Sequence, residues 1–153
     1  MGGKKIYQIA KYIIFAAYIV MLVYFVFFAE MFGRTHVPTE YRYNLVPFKE
    51  INRFIKYRHQ LGMTNVFINV VGNIAAFMPF GVGLPIIIRK KAKFLTVFLC
   101  TFAFSLLIEL IQLISRVGCC DIDDLILNTI GGALGYICYW FICKCRDVRN
   151  NKV

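Results

Sequence analysis

The chain has 153 residues, 59% of them hydrophobic, and a net charge of +10, with a mean hydropathy of +0.65. Soluble domains are about 45–50% apolar, so this composition excludes an ordinary water-soluble fold, and the length allows one domain, residues 1–153. Nucleic acid is excluded as a partner because the basic residues sit at the ends of apolar runs, where anionic lipid lies, and do not form one phosphate-reading patch.

A bilayer core about 30 Å thick takes roughly 20 apolar residues of helix. The first such run is Tyr12–Phe32, preceded by Lys4, Lys5 and Lys11. It is too long for a cleavable signal, and Phe28-Ala29-Glu30 is a poor cleavage site, so a retained signal-anchor helix is expected over 12–32. A polar stretch follows. Within it Asn44-Leu45-Val46-Pro47 reads as a helix cap with an early proline, and Gly62 reads as the stop. On a helical wheel Phe48, Ile51, Phe54, Ile55, Tyr57 and Leu61 fill one half, opposite Lys49, Asn52, Arg53, Lys56, His59 and Gln60. This predicts an amphipathic interfacial helix over 47–61, with Glu50 and Arg58 interrupting its apolar half.

Three further spans are expected at 65–88, 94–114 and 122–143, joined by the short connectors Arg89–Lys93 and Ser115–Asp121. Open strand edges cannot lie in lipid, so the fold class is all-α: a bundle of four transmembrane helices with an interfacial helix in the first outer loop. Orientation follows the basic residues. With both termini cytoplasmic, eleven of the eighteen Lys and Arg fall inside, including the tight Arg89-Lys90-Lys91-Ala92-Lys93 turn. Cys100 and Cys138 lie within apolar runs, Cys143 and Cys145 beside the basic tail, and Cys119-Cys120 in the last loop. None has zinc-ligand spacing, and they read as small apolar side chains.

Polar residues inside the spans are costly, about 2.5–3.5 kcal/mol for a charge at mid-depth. Asn65, Asn69 and Asn73 recur every fourth position on the second span, and Ser105, Glu109, Gln112 and Arg116 share one face of the third. Asp121, Asp124 and Asn128 form a stripe on the fourth, beside Asp123, and run on into Gly131-Gly132-Ala133-Leu134-Gly135, whose spacing suits close helix packing. In this topology every one of these groups falls at the outer end. The inner halves are apolar, as in Ile86-Ile87-Ile88 and Tyr139-Trp140-Phe141. The expectation is an outward-facing polar pocket floored by an apolar plug, with Asn69, Asn73, Glu109, Gln112, Arg116, Asp121, Asp123, Asp124 and Asn128 as its binding residues. Structural duties compete with that reading. The asparagines can bond helix to helix, the acids can cap a helix start, and Arg116 can neutralise a buried acid.

The motifs Asn44-Leu45-Val46-Pro47-Phe48, Asn69-Val70-Val71-Gly72-Asn73, Pro79-Phe80-Gly81, Ile108-Glu109-Leu110-Ile111-Gln112, and Asp121-Ile122-Asp123-Asp124 through Asn128-Thr129-Ile130-Gly131-Gly132 together resemble the VanZ family in order and spacing, over nearly all of residues 40–140. One stretch departs: Arg116-Val117-Gly118-Cys119-Cys120-Asp121 stands where the family has an Arg-Xaa-Phe-Asp lead-in. The resemblance implies a small multi-pass protein of a bacterial cell membrane, associated with resistance to teicoplanin, a lipid-tailed glycopeptide. The partners expected are membrane lipids and, at the pocket, a cell-wall lipid precursor or the glycopeptide itself.

No cofactor is identified, and no recognisable catalytic motif is present: there is no P-loop, no HExxH and no nucleophile beside a histidine. The alternative is a metal-dependent enzyme acting on lipid-linked phosphate or peptidoglycan precursors, with Glu109, Asp121, Asp123 and Asp124 holding a divalent cation through oxygen. A transporter fits less well, since the spans carry no broken helix and no inverted repeat.

Overall fold

A computed structural model describes residues 2–31, 41–61, 63–88 and 92–150. Four of its helices are long and apolar enough to cross a bilayer. They are α1 (Gly2–Met31), α4 (Met63–Ile88), α5 (Phe94–Ser115) and α6 (Ile122–Asn150). Between α1 and α4 lie the short helices α2 (Lys49–Lys56) and α3 (Arg58–Leu61). The all-α architecture expected from the sequence is therefore the one observed. Two of the helices outrun their apolar segments. At 1.5 Å per residue α1 and α6 are each about 45 Å long, so α1 begins among its basic flank and α6 continues through the basic tail.

The interfacial helix expected as one piece over 47–61 is two pieces. It starts at Lys49, after Phe48 adopts the left-handed conformation (φ 62°), and breaks at Tyr57 (φ −101°, ψ 18°). Neither Asn44 nor Phe48 supplies a side-chain cap to α2. Gly62, taken as the stop, lies outside the described residues, as does the Arg89-Lys90-Lys91 turn.

The packing is centred on α6, which meets α4 most extensively and α5 next. Glycine makes the first of these contacts close. A Cβ on Gly131 would stand 2.3 Å from the Ile74 carbonyl oxygen, one on Gly135 2.1 Å from that of Met78, and one on Gly81 1.9 Å from that of Gly132. The two backbones therefore touch, as small-residue spacing in membrane helices permits. On the α5 side Gly132 faces Thr101, which is fully buried and returns its hydroxyl to the Val97 carbonyl at 2.8 Å. Phe77, Ile108 and Leu22 form the apolar core, and Phe80 stacks on Phe104 with ring centres 5.2 Å apart.

By contrast α1 is peripheral: 6% of its most apolar stretch is buried, against 39% for α6. It is held to α4 by side chains. The Tyr18 hydroxyl donates to the Ala76 carbonyl at 2.6 Å, and Lys11 Nζ donates to the Ile86 carbonyl at 3.1 Å. A two-residue parallel pairing, β1 (Tyr43–Asn44) with β2 (Cys120–Asp121), ties the segment before α2 to the loop before α6. The antiparallel run of α4, α5 and α6 brings the start of α4, the end of α5 and the start of α6 to one end of the bundle.

Candidate functional site: a buried polar layer at one end of the bundle

The first turn of α6 organises this end. Side chains on successive helical residues point about 100° apart, so Asp121, Asp123 and Asp124 reach different neighbours. Asp121 caps its own helix, its Oδ1 accepting the Asp123 backbone N–H at 2.9 Å. The same oxygen accepts the Asn44 side-chain amide at 3.0 Å, while the Asp121 N–H donates to Glu109 Oε2 on α5 at 2.9 Å. Asp124 accepts the Asn73 amide from α4. One turn deeper, the Asn128 amide donates to the Ser105 hydroxyl at 2.9 Å, and Asn128 Oδ1 is buried with no partner among the described residues.

Asp123 turns outward from α6 and is 1% exposed. Its Oδ1 accepts the Phe48 N–H, and its Oδ2 accepts those of Glu50 at 2.8 Å and Ile51 at 3.1 Å. The left-handed turn at Phe48 aims these donors at one point, as in an anion nest. A non-glycine residue in that conformation costs about 1–2 kcal/mol, whereas a hydrogen bond to a charged group contributes about 1.5–3 kcal/mol. Three such bonds outweigh the strain. Asp123 is therefore the N-cap of α2 supplied from another helix, which is why α2 has no cap of its own. Asn44 completes the attachment: its Oδ1 accepts the Val46 N–H at 3.4 Å while its amide reaches Asp121.

Burial pushes the Asp121 carboxyl above the usual carboxylate range, opposed by the Asp123 N–H and the Asn44 amide. Burial likewise raises the Cys120 thiol, with the charges of Glu109 and Asp121 adding to it.

Of the nine residues expected at the site, Asn73, Glu109, Asp121, Asp123, Asp124 and Asn128 fall in this layer. Gln112 is buried beside it, under the turn in which a Cβ on Gly118 would stand 3.0 Å from the Gln112 side chain. Asn69 is exposed. Arg116 leaves the α5 face altogether: it ends the helix in the left-handed conformation (φ 57°) and lays its guanidinium over the Tyr41 ring, 4.5 Å from the centroid. Sequence reasoning did not place Asn44 and Ser105 in the site, although both were singled out, Asn44 as a local cap and Ser105 on the polar face. The sequence carried no signal of this for Asn44, because the helix was expected to begin at Pro47 and only the observed start at Lys49 leaves Asn44 too far away to cap it.

These side chains bond one another and the backbone, and two cavities lie away from them, except at Asn73, between α1 and α4. Among the described residues no three His, Cys, Asp or Glu side chains are grouped to hold a metal ion. The reason is local. Both oxygens of Asp123 are engaged by backbone N–H groups, and Asp121 Oδ1 serves two donors.

The profile of the VanZ/LLP1 family matches residues 15–143, a stretch that contains the whole layer. The chain belongs to the VanZ family. A relative called Protein VanZ, from Enterococcus faecium, is 32% identical over 126 residues, which is 81% of this chain and 70% of the relative. No solved structure matches the chain. Membership of VanZ and four bilayer-length helices make this a multi-pass membrane protein.

Proposed function

We propose that this VanZ-family protein is a non-catalytic component of the bacterial envelope. It recognises the headgroup of a cell-wall lipid precursor, or a lipoglycopeptide, at the polar end of its bundle, and so lowers susceptibility to teicoplanin. The observation that carries this reading is the attachment of α2 to Asp123. A fully buried carboxylate with three backbone N–H donors spends binding energy on holding an eight-residue helix over the end of the bundle. A helix whose only task is to link two spans needs no such anchor. On its exposed side α2 presents Lys49, Arg53 and Lys56, and the segment before β1 presents Tyr41 with Arg116 stacked on it. Guanidinium and ammonium groups suit phosphate and carboxylate, and an aromatic–guanidinium pair suits a sugar or amide face. In this reading both termini are cytoplasmic and the layer faces outward, so the acids form the support and the recognition belongs to the rim.

The test is teicoplanin susceptibility of cells expressing wild type, Asn73→Leu and Glu109→Leu at matched membrane levels. The expected outcome is loss of protection in both variants while each still inserts. Unchanged protection, or a wild-type chain that never protects, sinks the reading.

A further inference from the structure

Two cavities of about 660 and 460 Å³ lie along the α1–α4 seam. Both are bordered by Tyr18 and Pro79, so they lie end to end along α4 from Ile87 to Gly72, a channel in two adjoining parts. The channel exists because small residues on the walls, Ala10, Gly83 and Ala75, stand among large ones, Phe15 and Phe25. It lies within the apolar stretches of both helices. Side-chain bridges set its width. Tyr18 reaches the Ala76 carbonyl, Lys11 reaches that of Ile86, and a Cβ on Gly83 would stand 2.6 Å from the Phe15 ring. A second helix, about 10 Å across, is too wide to enter between elements bridged by single side chains, whereas a methylene chain is not.

The chemistry of one end identifies the occupant. Lys11 borders the channel, uses one donor on the Ile86 carbonyl and sits 4.9 Å from the centre of the Tyr12 ring. An ammonium has three, leaving donors for an anionic oxygen at the channel mouth. The same end of the bundle carries exposed Lys5, Lys93, Lys144 and Arg146, the surface that an anionic leaflet attracts.

We propose that the α1–α4 seam binds one acyl chain of an anionic glycerophospholipid, with its phosphate at Lys11. This site meets the polar layer only at Asn73, which borders the second cavity, and its test does not depend on resistance.

Full-length protein is reconstituted in phosphatidylcholine vesicles. The vesicles carry a trace of phosphatidylglycerol or phosphatidylcholine bearing a photoreactive group on the acyl chain, and the labelled residues are mapped. Phosphatidylglycerol is expected to label Ile14, Met78 and Val82 about ten-fold more than the lipid-facing Leu99, Phe102 and Leu106 of α5, the ratio that roughly 1.4 kcal/mol of added affinity produces. Ala10→Trp, which fills the channel, removes that enrichment and leaves α5 labelling unchanged. Lys11→Gln keeps a donor for Ile86 but lowers phosphatidylglycerol labelling to the phosphatidylcholine level. Equal labelling of seam and α5 overturns the proposal, as does enrichment that survives both variants. Cross-links joining α1 of two copies across the seam overturn it as well.

Discussion

Helix α6 is held in two ways along its length, and the contrast shows how load is divided in this molecule. Its shaft lies against α4 backbone to backbone, where Gly131 and Gly135 leave no room for a side chain beside the Ile74 and Met78 carbonyls. Its first turn is held by directed bonds instead: Asp121 to Asn44 and Glu109, Asp123 to the start of α2, Asp124 to Asn73. In lipid there is no hydrophobic drive between helices, so close contact and hydrogen bonds must do that work. Close contact is distributed and unforgiving, because no flexible side chain can yield. Directed bonds are local, and each one holds a particular element. Damage to the shaft should thus disrupt the whole bundle, and damage to the first turn should release the outer segment alone.

The largest effect is expected at the shaft. Gly131→Leu drives its side chain into the backbone of α4, and overpacking of this kind costs about 1–3 kcal/mol or more. The expected result is a detergent-solubilised protein that melts early or fails to accumulate in the membrane. Ala10→Leu, which adds nearly as much bulk (one carbon fewer) beside the α1–α4 channel, leaves the melting temperature unchanged or raises it. If both variants melt alike, tightness at glycine is not what sets the shaft apart.

Next in size is Asp123→Asn, an isosteric change. An amide keeps one oxygen, so at least one of the three donors from Phe48, Glu50 and Ile51 meets an NH₂ group. Each buried N–H left without an acceptor costs about 1–3 kcal/mol. Segment 41–61 is expected to become sensitive to limited proteolysis while the transmembrane helices stay protected. Cleavage that spreads into α4 and α5 would break the distinction between shaft and first turn.

The division was partly legible before any coordinates. The four spans were, because an apolar run of bilayer length has one structural solution. The glycine contact was also legible from Gly131 and Gly135 four residues apart. That Asn73, Glu109, Asp124 and Asn128 share one end followed from antiparallel connectivity. What periodicity could not supply was partnership between distant segments. The Asp123 bond to Phe48 joins residues 75 apart in sequence and depends on a left-handed backbone at a phenylalanine, which no propensity favours. Asn44 looked like a cap for the helix after it, since local bonding is the usual role of an asparagine before a proline; its amide goes instead to Asp121, 77 residues away. Arg116 was placed on the α5 face by helical spacing, and the spacing ceased to apply where the chain turned left-handed.

The smallest expected effect, Asp121→Asn, sharpens the comparison within the first turn. Here one oxygen, Oδ1, accepts both the Asn44 amide and the Asp123 N–H. An asparagine whose oxygen takes that place keeps both bonds, so the change should cost no more than the weakest single hydrogen bond, about 0.5 kcal/mol, unlike the same change two residues on. Its signature is in pH dependence. Burial raises the Asp121 carboxyl above its ordinary value, so the folded chain holds that proton more tightly than the unfolded chain does. Stability contributed by this group therefore falls as pH rises from the ordinary carboxylate range through the raised value, and is flat above it. Melting temperatures of wild type and Asp121→Asn followed across that window should draw apart in the direction of a relatively less stable wild type at higher pH. Parallel curves would mean that the proton is not held in the folded layer, and that Asp121 acts as a charged acceptor throughout.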